Sequence, residues 1–170
     1  MEGSSEFVHI RSAGPADEEF LWRMLYYASH SNDEPGVSPG GIKANPDLIG
    51  YITGWHSSGH IGVIAETPAV PVGAAWLRLL DETDRKNPVF VDPQTPELAI
   101  AVEPGHEGRG IGTSLIEELV ARAATRFETV VLSVRSGNPA VRLYERLGFV
   151  IIADMVNRVG THSVKMLKAL

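Results

Sequence analysis

The sequence predicts an α/β fold in which helices pack on a mixed β-sheet, and two features of the 170-residue chain carry this prediction. The first is an apolar run at 98–102, followed by a glycine-rich loop, an amphipathic helical pattern and a β-branched run at 129–134. This order is typical of a strand–helix–strand crossover, which joins parallel strands. The second is two pairs of short strand patterns, at 60–80 and 149–167, each predicted to form an antiparallel hairpin.

Length and composition indicate one globular domain. With 170 residues, 44% of them hydrophobic and 21% charged, the chain can bury its own core, and we expect about residues 6–168 to be ordered. The formal charge of −6 and the absence of any basic run longer than two residues argue against nucleic-acid binding. The chain has no cysteine, which excludes disulfides, thiolate metal sites and a cysteinyl acyl-enzyme.

The sequence predicts neither a membrane segment nor a metal site. No apolar run approaches the length of a membrane span, and the first residues, MEGSSEF, lack the basic and apolar regions of a signal peptide. We therefore expect a cytoplasmic protein with no membrane partner. His56 and His60 have the spacing of a zinc-binding helix, but the residues between them form a poor helix without a glutamate, so we expect no bound metal.

The N-terminal third is predicted to contain one strand and two helices. Phe7–Arg11 is the first strand, and Pro15 and Asp17 begin a helix whose apolar residues recur at helical spacing. The segment Ser31–Asn45 is rich in glycine, proline and polar residues and is predicted to be a loop. Asp47–Trp55 is predicted to form the second helix.

A hairpin and a long insertion follow. His60–Glu66 and Val72–Leu80 are predicted strands joined by a turn around Pro68–Pro71. Asp81–Thr95 is a charged, proline-containing insertion that is long for a connection between strands. Its apolar segment Val89–Val91 either folds over the entrance of a site or docks on the sheet, and the sequence leaves both open.

The centre of the chain combines a buried strand with a glycine-rich turn. Leu98–Val102 leads into a loop that ends with Gly108-Arg109-Gly110-Ile111-Gly112, and an amphipathic helix begins there. The first amides of a helix lack partners within it, and the helix dipole adds partial positive charge. Because glycines have no Cβ to hold a ligand away, this turn favours an anion such as a diphosphate.

Three alternatives compete with that interpretation of the glycines. A dinucleotide-binding turn has the spacing G-x-G-x-x-G directly after the strand, whereas the spacing here is G-x-G-x-G. A nucleoside-triphosphate loop needs G-K-[ST], which is absent. The third alternative is a glycine-rich connection that only packs tightly.

The C-terminal part is predicted to contain a strand, a helix and a closing hairpin. Thr129–Val134 is a β-branched apolar strand. Asn138 is a preferred N-cap residue and Gly148 is typical of a helix end, so a helix is predicted between them. Phe149–Val156 and His162–Leu167 form the last hairpin.

Two segments together resemble the signatures of the GCN5-related N-acetyltransferase (GNAT) family. In the first signature, Gln/Arg-x-x-Gly-x-Gly/Ala, the run Gly110-Ile111-Gly112 matches the end, whereas Glu107 stands where Gln or Arg is usual. The second signature is matched, in order, by Asn138, Ala140, Leu143, Tyr144, Leu147, Gly148 and Phe149. With the strand order on either side, the resemblance extends over nearly the whole chain.

The resemblance implies a single N-acetyltransferase domain over residues 1–170, with a mixed six- or seven-stranded sheet and about four helices on its two faces. It also implies that the two central parallel strands, 98–102 and 129–134, splay apart partway along. The backbone of Ile100–Val102 would then be unpaired on one side and available to the extended pantetheine arm of acetyl-CoA.

The implied activity is direct transfer of an acetyl group from the cosubstrate acetyl-CoA to a primary amine of a small molecule or protein, and a homodimer is compatible with the family. The alternative on the same fold is a non-catalytic acyl-CoA-binding sensor or interaction module. The residues expected to bind the cofactor are Ile100, Ala101, Val102, Gly108, Arg109, Gly110, Ile111, Gly112, Thr113 and Asn138.

Such a reaction requires proton transfers. An acceptor amine with a pKa of about 10.4 must lose a proton, and the candidate bases are Glu97, Glu103 or a water chain. We prefer Glu97 because it lies at the start of the strand, nearer to the expected acceptor. The oxyanion needs a donor, most simply a backbone amide of the same strand, at Ile100 or Val102. The resemblance makes Tyr144 the acid that protonates the leaving thiolate.

The resemblance also indicates where the acceptor binds. In this family the first two helices and the loop that joins them wall the acceptor site, which would place four aromatic residues at the pocket: Trp22, Tyr26, Tyr27 and Trp55. The alternative is that these aromatic side chains belong to the core.

Overall fold

The computed structural model describes residues 7–55 and 60–170, and these residues form three α-helices and seven β-strands. The helices are α1 (Glu18–Ala28), α2 (Ile111–Ala123) and α3 (Ala140–Arg146). The strands are β1 (His9–Ser12), β2 (Gly62–Glu66), β3 (Pro71–Arg78), β4 (Glu97–Val102), β5 (Thr129–Arg135), β6 (Val150–Val156) and β7 (His162–Ala169). Within these described ranges, no helix has the length and apolar character needed to cross a membrane.

All seven strands belong to one sheet with the order β1-β2-β3-β4-β5-β7-β6. The pairs β1–β2, β2–β3, β5–β7 and β6–β7 are antiparallel, whereas β4 and β5 are parallel. The parallel pair follows from the predicted crossover, because α2 lies between β4 and β5 in the chain. The mixed sheet confirms the α/β class, and its seven strands match the larger of the two predicted numbers.

The helix predicted at Asp47–Trp55 does not form, so the described residues contain three α-helices instead of about four. The structure has a single 3-10 turn there, Ile49–Tyr51, within a run of turns. Gly50 and Gly54 account for the difference, because glycine loses more backbone entropy in a helix than any other residue. Gly54 moreover has a φ of +79°, which lies outside the right-handed helical region.

The chain divides into two compact units, of which the first comprises the described residues of Met1–Trp76 together with Ile100–Leu119. In this unit α1 buries three large apolar side chains, Leu21, Met24 and Leu25. Their spacing of three and four residues places them on one face of the helix. The predicted loop after α1 contains two short 3-10 turns, and both contact α1.

An ion-pair network in the first unit fixes the entry to α1. The guanidinium of Arg11 in β1 donates to both carboxylate oxygens of Asp17, at 2.8 and 2.9 Å, and to Glu66 in β2 at 2.8 Å. Asp17 also accepts a hydrogen bond of 2.7 Å from the backbone N–H of Gly14. The Arg11 guanidinium and this backbone donor hold the pKa of Asp17 below its usual value, although burial acts in the opposite direction.

The second unit comprises Leu77–Ala99 together with Val120–Leu170. In this unit β5 is paired with β7 over all seven of its residues. Within this unit β4 pairs in parallel with β5 at Glu97 and Val131.

The insertion between β3 and β4 docks on the sheet of the second unit, which answers a question that the sequence left open. The side chain of Val89 is buried in an apolar cluster with Leu80 and Val131. The ammonium of Lys165 in β7 donates to the backbone carbonyl of Phe90 at 2.8 Å. Partial burial beside this contact lowers the pKa of Lys165.

Candidate active site

The loop between β4 and α2 has the backbone geometry of an anion-binding turn. Gly108 and Gly110 have φ values of +74° and +77°, in the left-handed region that a side chain disfavours, which explains why glycine occupies these positions. A Cβ added at either residue would meet no other atom within 4 Å, so the protein leaves the space beside them open. The N–H of Ser114 donates to the carbonyl of Gly110 at 3.1 Å and begins the helical ladder. Helix geometry therefore leaves the three preceding N–H groups without helical acceptors.

Two side chains of this loop are polar groups whose contacts the sequence does not reveal. Glu107 is exposed and turns back along the loop, where its carboxylate accepts a long hydrogen bond of 3.4 Å from the N–H of Gly105. His106 carries a buried Nδ1 atom that has no hydrogen-bond partner among the described residues. Because buried ring nitrogens normally have a partner, a bound ligand or a water molecule is expected to supply one.

The end of β4 is tied to α1 within the first unit. The N–H of Glu103 donates to the carbonyl of Val72 in β3 at 2.7 Å, and the Glu103 carboxylate forms an ion pair with Arg23 of α1. The side chain of Arg23 is 57% exposed, whereas that of Glu103 is 16% exposed. Since solvent reaches the arginine, this pair can open at low cost.

The other candidate base, Glu97, lies in a buried ion pair of the second unit. The Nε and Nη2 atoms of Arg78 both lie 2.8 Å from Oε1 of Glu97, and the two residues are only 8% and 2% exposed. Loss of the Glu97 carboxylate would leave the Arg78 guanidinium buried without its counter-charge. The sequence does not predict this partner, because Arg78 is 19 residues away and reaches Glu97 across neighbouring strands.

Tyr144 and Asn138 lie in the second unit, at α3. Tyr144 is 8% exposed and its ring packs edge to face on Phe149, with the ring centroids 5.9 Å apart. Burial raises the pKa of Tyr144 to about 12, so its hydroxyl stays protonated at neutral pH. Oδ1 of Asn138 accepts a hydrogen bond of 2.9 Å from the N–H of Ala140, the first residue of α3, whose N-cap is Pro139 and not Asn138 as predicted.

The aromatic residues expected at an acceptor pocket have different environments within the first unit. Trp55 is buried, and its indole N–H donates to the carbonyl of Gly14 at 3.0 Å, as in a core residue. Tyr26 donates from its hydroxyl to the carbonyl of Val37 at 3.2 Å and so holds the loop that follows α1. Trp22 is half-buried, and the ammonium of a lysine in that loop lies 5.7 Å from its ring centroid.

The described residues contain no arrangement that would bind a metal ion. Within 7–55 and 60–170, no three His, Asp or Glu side chains come together as ligands. His60 lies beside Trp55, with their ring centroids 5.4 Å apart, and His56 lies outside the described residues.

Comparisons with known proteins agree with the anion-binding geometry of the loop before α2. A family model described as the acetyltransferase (GNAT) family matches residues 6–149. No curated protein matches the chain.

Among solved structures, yncA of Salmonella typhimurium, described as an acetyltransferase and solved with its cofactor acetyl-CoA, has a TM-score of 0.72 at 23% identity, covering 96% of this chain and 94% of that one. A ribosomal-protein-alanine N-acetyltransferase from Brucella melitensis has a TM-score of 0.70 at 22% identity, covering 95% and 99%. The spermidine/spermine N-acetyltransferase SpeG from Vibrio cholerae, solved in mutant forms, has a TM-score of 0.64 at 22% identity, covering 96% and 95%. At these identities the likeness establishes the fold.

Proposed function

The chain belongs to the acetyltransferase (GNAT) family, whose model spans residues 6–149, and we propose that it transfers an acetyl group from acetyl-CoA directly to a primary amine of a small molecule or protein. The observation that carries this proposal is the turn before α2. Its left-handed glycines face open space, and the first helical amides lack acceptors in the helix. These are the properties that a diphosphate requires.

The residues of the first unit fit the cofactor in two ways. The backbone from Gly108 to Thr113 would hold the diphosphate, because its N–H groups and the helix dipole both attract negative charge. The exposed Arg109 in this run adds a positive charge. The backbone of Ile100–Val102 would bind the pantetheine amides as a neighbouring strand does. Acetyl-CoA supplies an activated acetyl group as a thioester.

Two further groups of the first unit are proposed to assist diphosphate binding and acetyl transfer. The carboxylate of Glu107 turns back along the loop toward the N–H of Gly105. This orientation would reduce the repulsion between that carboxylate and a diphosphate. The backbone N–H of Ile100 or Val102 would stabilise negative charge on the acetyl oxygen during transfer.

In the second unit, Tyr144 is proposed to act as the general acid and Asn138 to contribute to cofactor binding. The phenol carries its proton at neutral pH, as an ordinary tyrosine does, and could donate it to the leaving sulfur, although burial raises its pKa to about 12 and so makes it a weaker acid. The proton would pass from Oη of Tyr144 to that sulfur as the carbon–sulfur bond breaks.

The incoming ammonium must lose a proton before its nitrogen can attack, and the contacts of the two candidate carboxylates favour Glu103 over Glu97. Glu103 is partly exposed, and its partner Arg23 is exposed to solvent. Glu97 is enclosed with Arg78, and accepting a proton would break a buried ion pair. We therefore propose that Glu103, or a water molecule bound to it, is the base. Glu97 would instead hold the side chain of Arg78 in place at the start of β4.

The proposal is tested by measuring release of free coenzyme A from acetyl-CoA with a panel of primary amines that includes polyamines, amino acids and peptide N-termini. Thiol release that depends on an added amine, together with acetylated amine detected by mass spectrometry, is the expected result. Binding of acetyl-CoA in calorimetry without release for any amine would favour the non-catalytic sensor. Absence of acetyl-CoA binding would refute both functions.

A further inference from the structure

The ion pair between Arg23 of α1 and Glu103 joins a carboxylate that is held in place to a cation that solvent reaches. The backbone of Glu103 is fixed on both sides. Its N–H donates to the carbonyl of Val72 in β3 at 2.7 Å, and its carbonyl accepts a hydrogen bond of 3.1 Å from the N–H of His106. Arg23, by contrast, has a long side chain that is 57% exposed, and such a side chain gains rotamer freedom when it is released into water. Opening the pair therefore requires movement of Arg23 and not of Glu103.

Two other ion pairs of the first unit lack this combination. The side chain of Asp17 is also well shielded, at 12% exposed, but Arg11 donates to both of its oxygens and to a carboxylate of β2, so its guanidinium is firmly held. Glu19 pairs with a lysine of the loop after α1 and is 79% exposed, so water competes with any cation there. Of these three carboxylates, Glu103 is the one that is shielded from water and paired with an exchangeable cation.

The amino-acid composition of the first unit favours a positively charged acceptor. Its segments, 1–76 and 100–119, contain thirteen Asp and Glu residues but four Lys and Arg residues. The segments of the second unit contain eight acidic and eleven basic residues, so the negative charge of the chain is concentrated in the unit that contains Glu103. An excess of one sign of charge raises the local concentration of ions of the opposite sign. A primary ammonium is therefore attracted to the unit that holds this carboxylate.

We propose that Arg23 is an internal competitor of the acceptor: its guanidinium occupies the Glu103 carboxylate in the free protein, and the ammonium group of the acceptor displaces it. This inference rests on the proposed acetyl transfer and names the acceptor class, amines that are positively charged when they bind. The exchange replaces one cation with another, so the charge beside Glu103 is unchanged and the released guanidinium is hydrated. A neutral molecule offers no such replacement and leaves Arg23 in place.

The exchange brings the acceptor nitrogen to the group proposed to accept its proton. The bound ammonium donates an N–H to the Glu103 carboxylate. The proton then passes from that nitrogen to the carboxylate oxygen, which leaves the neutral amine that attacks the thioester. Arg23 competes with the binding of the amine and takes no part in the transfer that follows. Its removal is therefore expected to change the KM for the amine and not kcat.

The first test compares Arg23→Gln with Arg85→Gln in steady-state kinetics, using the primary amine of the panel that reacts fastest. Arg23→Gln is expected to lower the KM for this amine about fivefold, the size of effect that a largely exposed ion pair can have, with kcat changed less than about twofold. Arg85 pairs with Glu82 in the insertion between β3 and β4. Arg85→Gln thus removes the same charge from an exposed arginine–glutamate pair elsewhere and should leave KM unchanged. An unchanged KM in Arg23→Gln, or an equal fall in both variants, would overturn the proposal.

The second test measures the exchange without acetyl transfer and so stays decisive if the proposed function fails. The side-chain Nε–H signal of Arg23, assigned by its loss in Arg23→Gln, is followed by NMR while 1,4-diaminobutane is added to the wild type at constant ionic strength. A saturable shift of this signal is expected with the diamine. The neutral molecule of the same length, 1,4-butanediol, should cause none. No shift with the diamine, or an equal shift with the diol, would disprove the exchange even for a protein that acetylates amines.

Discussion

Tyr144 is the individual residue that we propose as the general acid. It is 8% exposed, and its ring packs on Phe149. Burial raises its pKa to about 12. Its proposed role at the thioester rests on the family resemblance.

Substitution of Tyr144 by phenylalanine tests that role. The ring and its contact with Phe149 are retained and only the proton donor is lost, so we expect kcat to fall about 100-fold, within the range for a general acid. The KM for acetyl-CoA should change less than about threefold. Steady-state kinetics and acetyl-CoA calorimetry on the same preparation provide the two readouts. Unchanged kcat would exclude Tyr144 as the acid.

The two candidate bases are separated by a matched pair of substitutions, Glu103→Gln and Glu97→Gln. If Glu103 accepts the proton, Glu103→Gln should lower kcat/KM for the amine by about 100-fold and abolish the acidic limb of its pH profile. Glu97→Gln should instead lower the melting temperature, because Arg78 loses its buried counter-charge. Its pH profile should keep the wild-type shape. Loss of the acidic limb in Glu97→Gln alone would reverse the assignment.

For individual residues, the sequence identifies candidate functional side chains better than it identifies the residues that contact them. Glu97 and Tyr144 are recognisable from a strand boundary and a local motif. The contact of Glu97 with Arg78 depends on the register of two neighbouring strands, which composition and spacing within one strand do not specify. The core environment of Trp55 likewise depends on a hydrogen bond to a residue 41 positions away.

Among the elements, the turn before α2 is the one that local chemistry determines most fully. Its glycines mark positions with positive φ, and the apolar spacing that follows marks the helix. Both signals lie within about a dozen neighbouring residues, so the prediction needed no knowledge of the rest of the chain. In the segment at 47–55 the local pattern is misleading. Its apolar residues are buried, as they would be in a helix, but its glycines disfavour helical backbone and only a 3-10 turn forms.

The proposed diphosphate site is tested by Gly110→Asp. The carboxylate would enter the open space beside the turn and repel a diphosphate, so we expect acetyl-CoA affinity to fall more than 100-fold in calorimetry. Backbone strain is controlled by Gly160→Asp, because Gly160 between β6 and β7 has a φ of +83° and faces equally open space. The control should lose comparable stability and keep its affinity. Retained affinity in Gly110→Asp would contradict the site.

For the whole molecule, the sequence predicts the two hairpins and the crossover, but it predicts neither the order of all seven strands in the sheet nor every long-range contact. Hairpins and the parallel pair follow from turn signals and from the handedness of the crossover. The docking of the insertion depends instead on Val89 finding a cluster formed by Leu80 and Val131, residues that no local pattern connects. Such contacts decide whether a long loop covers a site or strengthens the core.

The ion-pair network of Arg11, Asp17 and Glu66 makes the stability of the protein depend on pH. The pKa of Asp17 is lowered in the folded state below its ordinary value of 3.8, mainly by the hydrogen bond from Arg11. The native state therefore binds that proton less readily than the unfolded state does. The stabilisation is complete above about pH 4 and is lost as pH falls through the lower folded-state pKa.

Replacing Asp17 by asparagine should remove this contribution. At pH 7 the variant leaves Arg11 without its two-oxygen partner, at a cost of about 2 kcal/mol, or roughly 4–8 °C in Tm for a chain of this size. The difference from the wild type should shrink below pH 4, because the wild-type carboxyl then becomes protonated as well. Glu117→Gln, which removes an exposed carboxylate from α2, should change Tm by less than about 1 °C at either pH. Calorimetric melting of the three proteins from pH 2.5 to 7 measures the effect, and a gap that stays constant over this range would show that the ionised carboxylate is not its source.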